Sequence, residues 1–312
     1  RWYDIEVDFE GSANSSFYNG FGNPDTQQFG SNLSAQYAPG NANGYPDTAA
    51  TDGVIGKVSY SWNKNDDVMY YLTWSEGFRP GLLNRPAGRT SPDGSYSVPP
   101  SIDSDEVTNY EFGWKAVAMD GALRFNGSVY MVDVSGLQST IFDPSIVNLF
   151  FSDNAADAEI KGVEGDFMYF TGSGLTLSGA FSLLDTEITK SLVPTGDVIV
   201  GSDLAFAPGF QANFTARKEW GTKSGNTGHW QAQVNHSRAS DSDIMEPNRA
   251  QQGMYTLANI RAGVSNDSWT AEMYIDNITD ERAELSNTFV FDRQRIAVIR
   301  PLNLGFRYKV KF

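Results

Sequence analysis

At the end of the chain every second residue is large and apolar. Leu302, Leu304, Phe306, Tyr308, Val310 and Phe312 share one face of an extended segment, and Asn303, Gly305, Arg307, Lys309 and Lys311 share the other. Successive side chains of a strand point to opposite sides, so a period of two marks a strand with one face in an apolar medium. The pattern recurs along the chain. Residues 268–277 set Trp269, Ala271, Met273 and Ile275 against Thr270, Glu272, Tyr274 and Asp276. Residues 207–219 set Phe210, Ala212, Phe214 and Ala216 against Gln211, Asn213, Thr215 and Arg217. The first residues alternate too, with Tyr3, Ile5, Val7 and Phe9 opposite Asp4, Glu6 and Asp8. The periodicity predicts twelve strands, at about 1–9, 53–63, 67–77, 105–117, 121–138, 157–169, 174–190, 207–219, 229–240, 254–264, 268–277 and 300–312.

The connections alternate between long and short. Long ones are predicted near 10–52, 78–104, 139–156, 191–206, 241–253 and 278–299, and short ones near 64–66, 118–120, 170–173, 220–228 and 265–267. A soluble sandwich has no reason to keep every second turn short. A transmembrane barrel does, with short turns on the periplasmic side and long loops outside. The apolar faces carry Leu, Val, Phe and Ala in mid-strand. Aromatic residues lie near the ends, as at Tyr60, Trp62, Trp74, Trp114, Trp220, Trp230, Trp269 and Tyr308. That distribution suits aromatic girdles at two membrane interfaces. The opposite faces are charged and polar, so they meet water rather than a second sheet. The fold class expected is all-β, an antiparallel transmembrane β-barrel.

Composition narrows the chemistry. The chain of 312 residues has no Cys, which excludes thiol catalysis, zinc–cysteine sites and disulfide scaffolds. A formal charge of −15 opposes nucleic-acid binding through phosphate neutralisation. No apolar run approaches the length of a membrane-spanning helix. Phosphate loops, nucleophile elbows and His-Glu-x-x-His motifs are absent, and no enzyme activity or cofactor is expected. His229 and His236 are seven apart on one strand, which puts them on opposite faces and makes a shared metal ion an unfavoured reading. The cluster Asp103, Asp105 and Glu106 has oxygen ligands of the kind hard cations take, without EF-hand spacing; a solvated turn is the plainer reading.

Several segments then resemble, in order, the C-terminal part of the barrel of a TonB-dependent outer-membrane receptor. They are Tyr70-Tyr71-Leu72-Thr73-Trp74-Ser75-Glu76-Gly77-Phe78-Arg79-Pro80-Gly81; Asn109-Tyr110-Glu111-Phe112-Gly113-Trp114-Lys115; and a strand ending in Leu137-Gln138. Next come Asn154-Ala155-Ala156 with Ile160-Lys161-Gly162-Val163-Glu164; Ala207-Pro208; Ile275-Asp276-Asn277-Ile278-Thr279-Asp280; and the final Phe312. Arg300-Pro301 inverts the Pro-Arg order the family often shows. The resemblance implies a barrel of 22 strands filled by a plug domain. The twelve strands here are then its last part, residues 1–312 forming one barrel segment. The start inside a strand, with no Met or signal sequence, agrees with a piece of a longer polypeptide.

The resemblance also implies a function: energised uptake of a scarce ligand across the outer membrane of a Gram-negative bacterium, a ferric siderophore being the commonest cargo. The implied partners are the TonB-ExbB-ExbD complex acting through the plug, the barrel-assembly machinery, membrane lipid and lipopolysaccharide. Arg79, Arg85 and Arg89, at or within a long loop, are candidates for an anionic ligand; pairing of Arg79 with a lumen carboxylate is the competing reading. Glu111, Lys115, Glu164, Asp166, Glu272 and Arg307 face inward and read as a mutually paired, solvated lumen network. Gly305, Tyr308, Val310 and Phe312 resemble the C-terminal assembly signal of such barrels. Two other readings stay open: a passive, self-closing pore of twelve strands, and a soluble β-rich glycan-binding protein or hydrolase.

Overall fold

The computed structural model describes residues 1–8, 48–84, 88–141, 143, 145–146, 151–194, 198–242, 250–290 and 293–311. The strands among them are β1 (Trp2–Asp8), β2 (Thr48–Val54), β3 (Lys57–Asn63), β4 (Val68–Arg79), β5 (Leu82–Leu83), β6 (Ser101–Ile102), β7 (Asp105–Ala118), β8 (Leu123–Ile141), β9 (Phe151–Phe170) and β10 (Leu175–Ser191). They continue as β11 (Phe210–Gly221), β12 (Thr227–Ser237), β13 (Ser240–Asp241), β14 (Gln251–Gln252), β15 (Tyr255–Ser265), β16 (Trp269–Asp276), β17 (Glu284–Val290), β18 (Arg293–Val298) and β19 (Asn303–Val310). Eleven of them form one antiparallel meander, in the order β19-β16-β15-β12-β11-β10-β9-β8-β7-β4-β3. Short pairs β5–β6, β13–β14 and β17–β18 decorate the end where the long connections lie.

The two faces of this sheet differ in chemistry. One is concave: a cavity of about 730 Å³ touches eight strands, from Tyr71 on β4 through Ser128, Glu164, Gln211 and Asn235 to Tyr255 on β15. The convex face is apolar and exposed. Leu72, Phe112, Val129, Phe214, Ile260, Met273, Leu304 and Phe306 all stand free on it. Cross-strand register keeps the faces consistent, as in Leu72↔Phe112, Phe112↔Val129 and Met273↔Phe306. In water such a surface would be far larger than a monomeric soluble protein tolerates; against hydrocarbon it is the required solution.

The height of the apolar belt can be read from the register. On β8 the convex face runs Leu123, Phe125, Gly127, Val129, Met131, then turns to Asp133. On β10 it runs Leu175, Leu177, Gly179, Phe181, Leu183, then Asp185 and Glu187; on β9, paired between them, Val163 is followed by Lys161 and Glu159. Nine residues at about 3.3 Å each, tilted about 40°, span roughly 20–25 Å, the thickness of an outer-membrane hydrocarbon band. Above that line β8, β9 and β10 continue as a free-standing wall with a charged outer surface.

A closed hydrophobic cluster lies above the belt. Val98, Ile141, Phe151, Ala155, Ala156, Ile188, Val193 and Val198 form a buried cluster on the inner side of that wall, with Tyr96 and Leu204 against it. Each full burial of such an aliphatic side chain is worth about 1.5–3 kcal/mol, so Tyr96 and Val98 of one connection and Val193, Val198 and Leu204 of another are packed onto the strands.

Four expectations need correction. The strand expected at 53–63 begins at Thr48 and is interrupted at Ile55-Gly56. Its upper part pairs with β1 and its lower part with β4. Gly56 makes the join because a Cβ there would meet the Trp74 ring at 2.7 Å. The connection 139–156 is shorter than expected, since β8 and β9 extend into it. The connection 278–299, read as a loop, contains the hairpin β17–β18. Finally, the sheet is open, with β3 and β19 at its edges, so among the described residues it does not close into a twelve-stranded pore.

Candidate functional site at the long-loop end

Three amide side chains fasten the segment 80–104 to the wall. Asn84 Nδ2 donates to Ser152 O at 2.7 Å and its Oδ1 accepts from Ser152 N at 2.8 Å, so one side chain acts as a strand partner. Asn154 does the same for Asp103, accepting from its N at 2.8 Å and donating to its O at 3.0 Å and to Gly136 O at 2.6 Å. Gln138 Nε2 donates to Pro80 O and Asp103 O, both at 2.9 Å. Main-chain groups of an irregular segment need partners once water is excluded. A side-chain amide carries its donor and its acceptor on two separate atoms, as a peptide group does, whereas an ionised carboxylate has no donor and a hydroxyl has both functions on one atom.

Arg79, at the top of β4, is bound to Asp105. Its Nε donates to Asp105 Oδ2 at 2.7 Å, Nη2 donates to the same oxygen, and Nη2 reaches Gln138 O at 3.2 Å. Asp105 is buried and also accepts from the main-chain N of Arg79 and of Gln138. The carboxylate holds the Arg79 guanidinium above its ordinary pKa through the hydrogen bond and the adjacent charge, against a smaller effect of burial. Arg79 therefore takes part in anchoring the loop, while its side chain stays 56% exposed. Arg89 is exposed on the loop; Arg85 lies outside the described residues.

The acidic cluster does not converge. Asp105 is engaged by Arg79, Asp103 contributes main-chain groups to the Asn154 clamp, and Glu106 is exposed. Further out, Tyr96 donates to Asp153 Oδ2 at 2.5 Å, bridging the loop to β9 beside Phe151. Burial first, then the Asp153 hydrogen bond and charge, push the Tyr96 phenol well above its ordinary range. Asn84 and Tyr96 carry no sequence signal of this role, since their partners lie 68 and 57 residues away.

The concave face is paired differently from the expected charge network. Tyr71 OH donates to Glu111 at 2.5 Å, Ser128 to Glu164 at 3.3 Å and Asn126 to Asp166 at 3.0 Å, so these three carboxylates take neutral donors. Glu272 lies 3.2 Å from His229 Nε2 and 3.7 Å from Arg307, and Arg217–Glu219 at 2.7 Å and Arg261–Asp276 at 3.8 Å are further ion pairs. Gly263 makes room for the His229 ring, because a Cβ there would meet it at 2.9 Å. His236 is on the other face, with Nδ1 2.8 Å from Thr256 Oγ1. Of the C-terminal residues, Tyr308 and Val310 are exposed on the convex face, Gly305 lies under the Tyr274 ring, and Phe312 is outside the described residues.

Comparison with known proteins settles the family. The family model "TonB dependent receptor-like, beta-barrel" matches residues 12–278. The chain belongs to the TonB-dependent receptor β-barrel family. Its fold is similar to that of the ferric yersiniabactin uptake receptor FyuA from Yersinia pestis, at 18% identity and a TM-score of 0.68, over 85% of this chain and 38% of FyuA. It is likewise similar to BauA, the ferric preacinetobactin receptor from Acinetobacter baumannii (19%, 0.61, 84% and 38%). The copper transporter OprC gives 14%, 0.65, 86% and 41%. The chain thus spans about two fifths of the solved receptors it matches. In a barrel of this family the concave face is the lumen and the convex belt the membrane surface.

Proposed function

We propose that this chain forms barrel wall and outer loops of a transporter that takes up a ferric siderophore, or a similar metal complex, across the outer membrane of a Gram-negative bacterium. The carrying observation is the family match over residues 12–278, together with an exposed apolar belt opposite a polar concave face. Energy would come from the TonB-ExbB-ExbD complex acting through a plug domain, and insertion would use the barrel-assembly machinery. The fixed loop 80–104 would form one side of the outer vestibule. Arg79, Arg85 and Arg89 are the candidates for an anionic cargo, Arg89 being exposed on the loop and Arg79 partly exposed beside Asp105. The neighbours' names include both siderophore receptors and a copper transporter, so the metal-complex class supports the reading better than any single cargo.

The test is uptake of radioactive iron by cells that carry or lack the gene, supplied with a panel of ferric siderophores. Gene-dependent uptake of one complex, abolished by deleting the TonB gene, is the expected outcome. Uptake that persists without TonB would replace the reading by a passive pore.

A further inference from the structure

The lumen wall is not uniform in charge. On β7–β9, Glu111, Glu164 and Asp166 accept from Tyr71, Ser128 and Asn126. Among the described residues no cation pairs with these three, so that sector keeps its negative charge. From the short-turn end of β11 across to β19 the charges come in pairs, as Arg217–Glu219, Arg261–Asp276 and Arg307–Glu272. Between the two sectors runs a strip without charge. Register sets Ala180 beside Asn213 and Asn235, and Ser182 beside Gln211 and Ser237. Ser178, Thr215 and Gln233 continue the strip one row toward the short turns.

The strip is also recessed. Its β10 side chains are small, Ser178, Ala180 and Ser182, and they lie between the longer Glu164 and Asp166 of β9 and Gln211 and Asn213 of β11. The cavity of about 730 Å³ lies over these strands, and pockets of that size hold a small ligand. Its hydrogen-bonding groups are only partly used. Gln211 Nε2 donates to Ser237 Oγ at 3.4 Å, and Gln233 Nε2 to Asn235 Oδ1 at 3.3 Å. The Asn213 amide is exposed and has no partner among the described residues. Such amides offer a donor and an acceptor with no net charge. A solute in transit must be bound well enough to enter and weakly enough to leave, which neutral hydrogen bonds allow and a fixed unpaired charge does not.

We propose that the recessed strip on β10–β12 is the track along which cargo crosses the barrel, and that the cargo it suits is a neutral or anionic metal chelate rich in carbonyl and hydroxyl oxygen. Gln211, Asn213 and Asn235 exchange hydrogen bonds with the periphery of the chelate as it passes. The acidic sector repels an anionic chelate, and the cations of the other sector are already taken by their carboxylates. The inference rests on the uptake reading above and adds to it the side of the lumen that carries the cargo.

The experiment uses the whole receptor in cells, with the radioactive ferric siderophore that gives gene-dependent uptake in the panel above. These 312 residues contain no Cys, so single thiols can be introduced for labelling with a fluorescein maleimide. Ala180→Cys lies in the strip; Thr73→Cys, beside Glu111 on the lumen face of β4, is the control in the acidic sector. Label on Ala180→Cys during uptake should abolish most further uptake and leave binding of the complex to the cell surface unchanged. Label on Thr73→Cys should leave both nearly unchanged. Asn213→Leu combined with Asn235→Leu should lower uptake about two- to tenfold at unchanged binding, the equivalent of one net hydrogen bond. Heat-modifiable migration on gels checks that each variant is folded. Equal loss of uptake from both labels, no loss from the Ala180→Cys label, or an Ala180→Cys thiol that takes no label during uptake would overturn the track. Absence of gene-dependent uptake in the unlabelled wild type would instead overturn the uptake reading itself.

Discussion

Tyr274 lies across Gly305 on the lumen face, and a Cβ built on Gly305 would stand 2.2 Å from the Tyr274 ring. The two residues are register partners on β16 and β19, and Arg307 completes the arrangement with its guanidinium 5.6 Å from the same ring. The same relation joins Tyr71 to Gly113 and Tyr130 to Gly162. Gly305 therefore serves as a socket for an aromatic ring, which differs from a role in flexibility.

Filling that socket should loosen the last strand. Gly305→Val pushes the Tyr274 ring out of place, at a cost of about 1–3 kcal/mol for overpacking. Less folded receptor should reach the outer membrane, measured by heat-modifiable migration on gels. Combining Gly305→Val with Tyr274→Ala should recover part of the loss. A double variant no better than the single one would show that Gly305 acts in some other way.

Arg79→Ala should act on loop anchoring. It removes a partner from buried Asp105, whose side chain is 2% exposed while that of Arg79 is 56% exposed. The expected local destabilisation is about 1–3 kcal/mol, below that of a fully buried pair because the guanidinium is partly hydrated. Hydrogen exchange in residues 80–104 should rise. Cargo affinity that collapses while this protection is unchanged would show that Arg79 acts by binding the ligand and not by anchoring the loop.

Asn277 adopts a left-handed backbone, φ 52°, beneath the hairpin β17–β18. Its amide donates to Glu281 O and Arg300 O, and its Oδ1 accepts from Glu281 N. Asn277→Gly keeps the backbone conformation and loses the three bonds, whereas Asn277→Ala loses both. The Ala variant should be the less stable by about 1 kcal/mol in denaturant titrations. Equal stabilities would mean that the conformation contributes little.

The Tyr96–Asp153 bridge predicts an alkaline limit for loop packing. Burial and the carboxylate raise the folded pKa of Tyr96 above its ordinary value of 10.0. The neutral phenol therefore stabilises the folded loop fully below about pH 10, and the contribution is lost as pH rises beyond it. Fluorescence of the loop region should show loosening above pH 10. Tyr96→Phe should lose that pH response and be weaker at neutral pH by about 1–3 kcal/mol, because Asp153 Oδ2 loses the Tyr96 donor while Oδ1 keeps the Asn154 main-chain N. An unchanged alkaline transition in Tyr96→Phe would rule the bridge out as its origin.

The period-two pattern by itself determined most strands of the wall and which of their residues share the apolar face. Leu304, Phe306 and Tyr308 are exposed together because alternation is a property of the local backbone, and a membrane demands that one face be apolar throughout. Tertiary structure alone decided what happens above the belt. Asn84, Gln138 and Asn154 take partners 68, 58 and 51 residues away, and such pairings leave no periodic trace. The buried cluster around Ile188, the break at Ile55-Gly56 and the hairpin β17–β18 depend on which irregular segments meet which strand ends. That is a matter of shape and of unsatisfied main-chain groups finding donors in space, and only the folded chain brings them together.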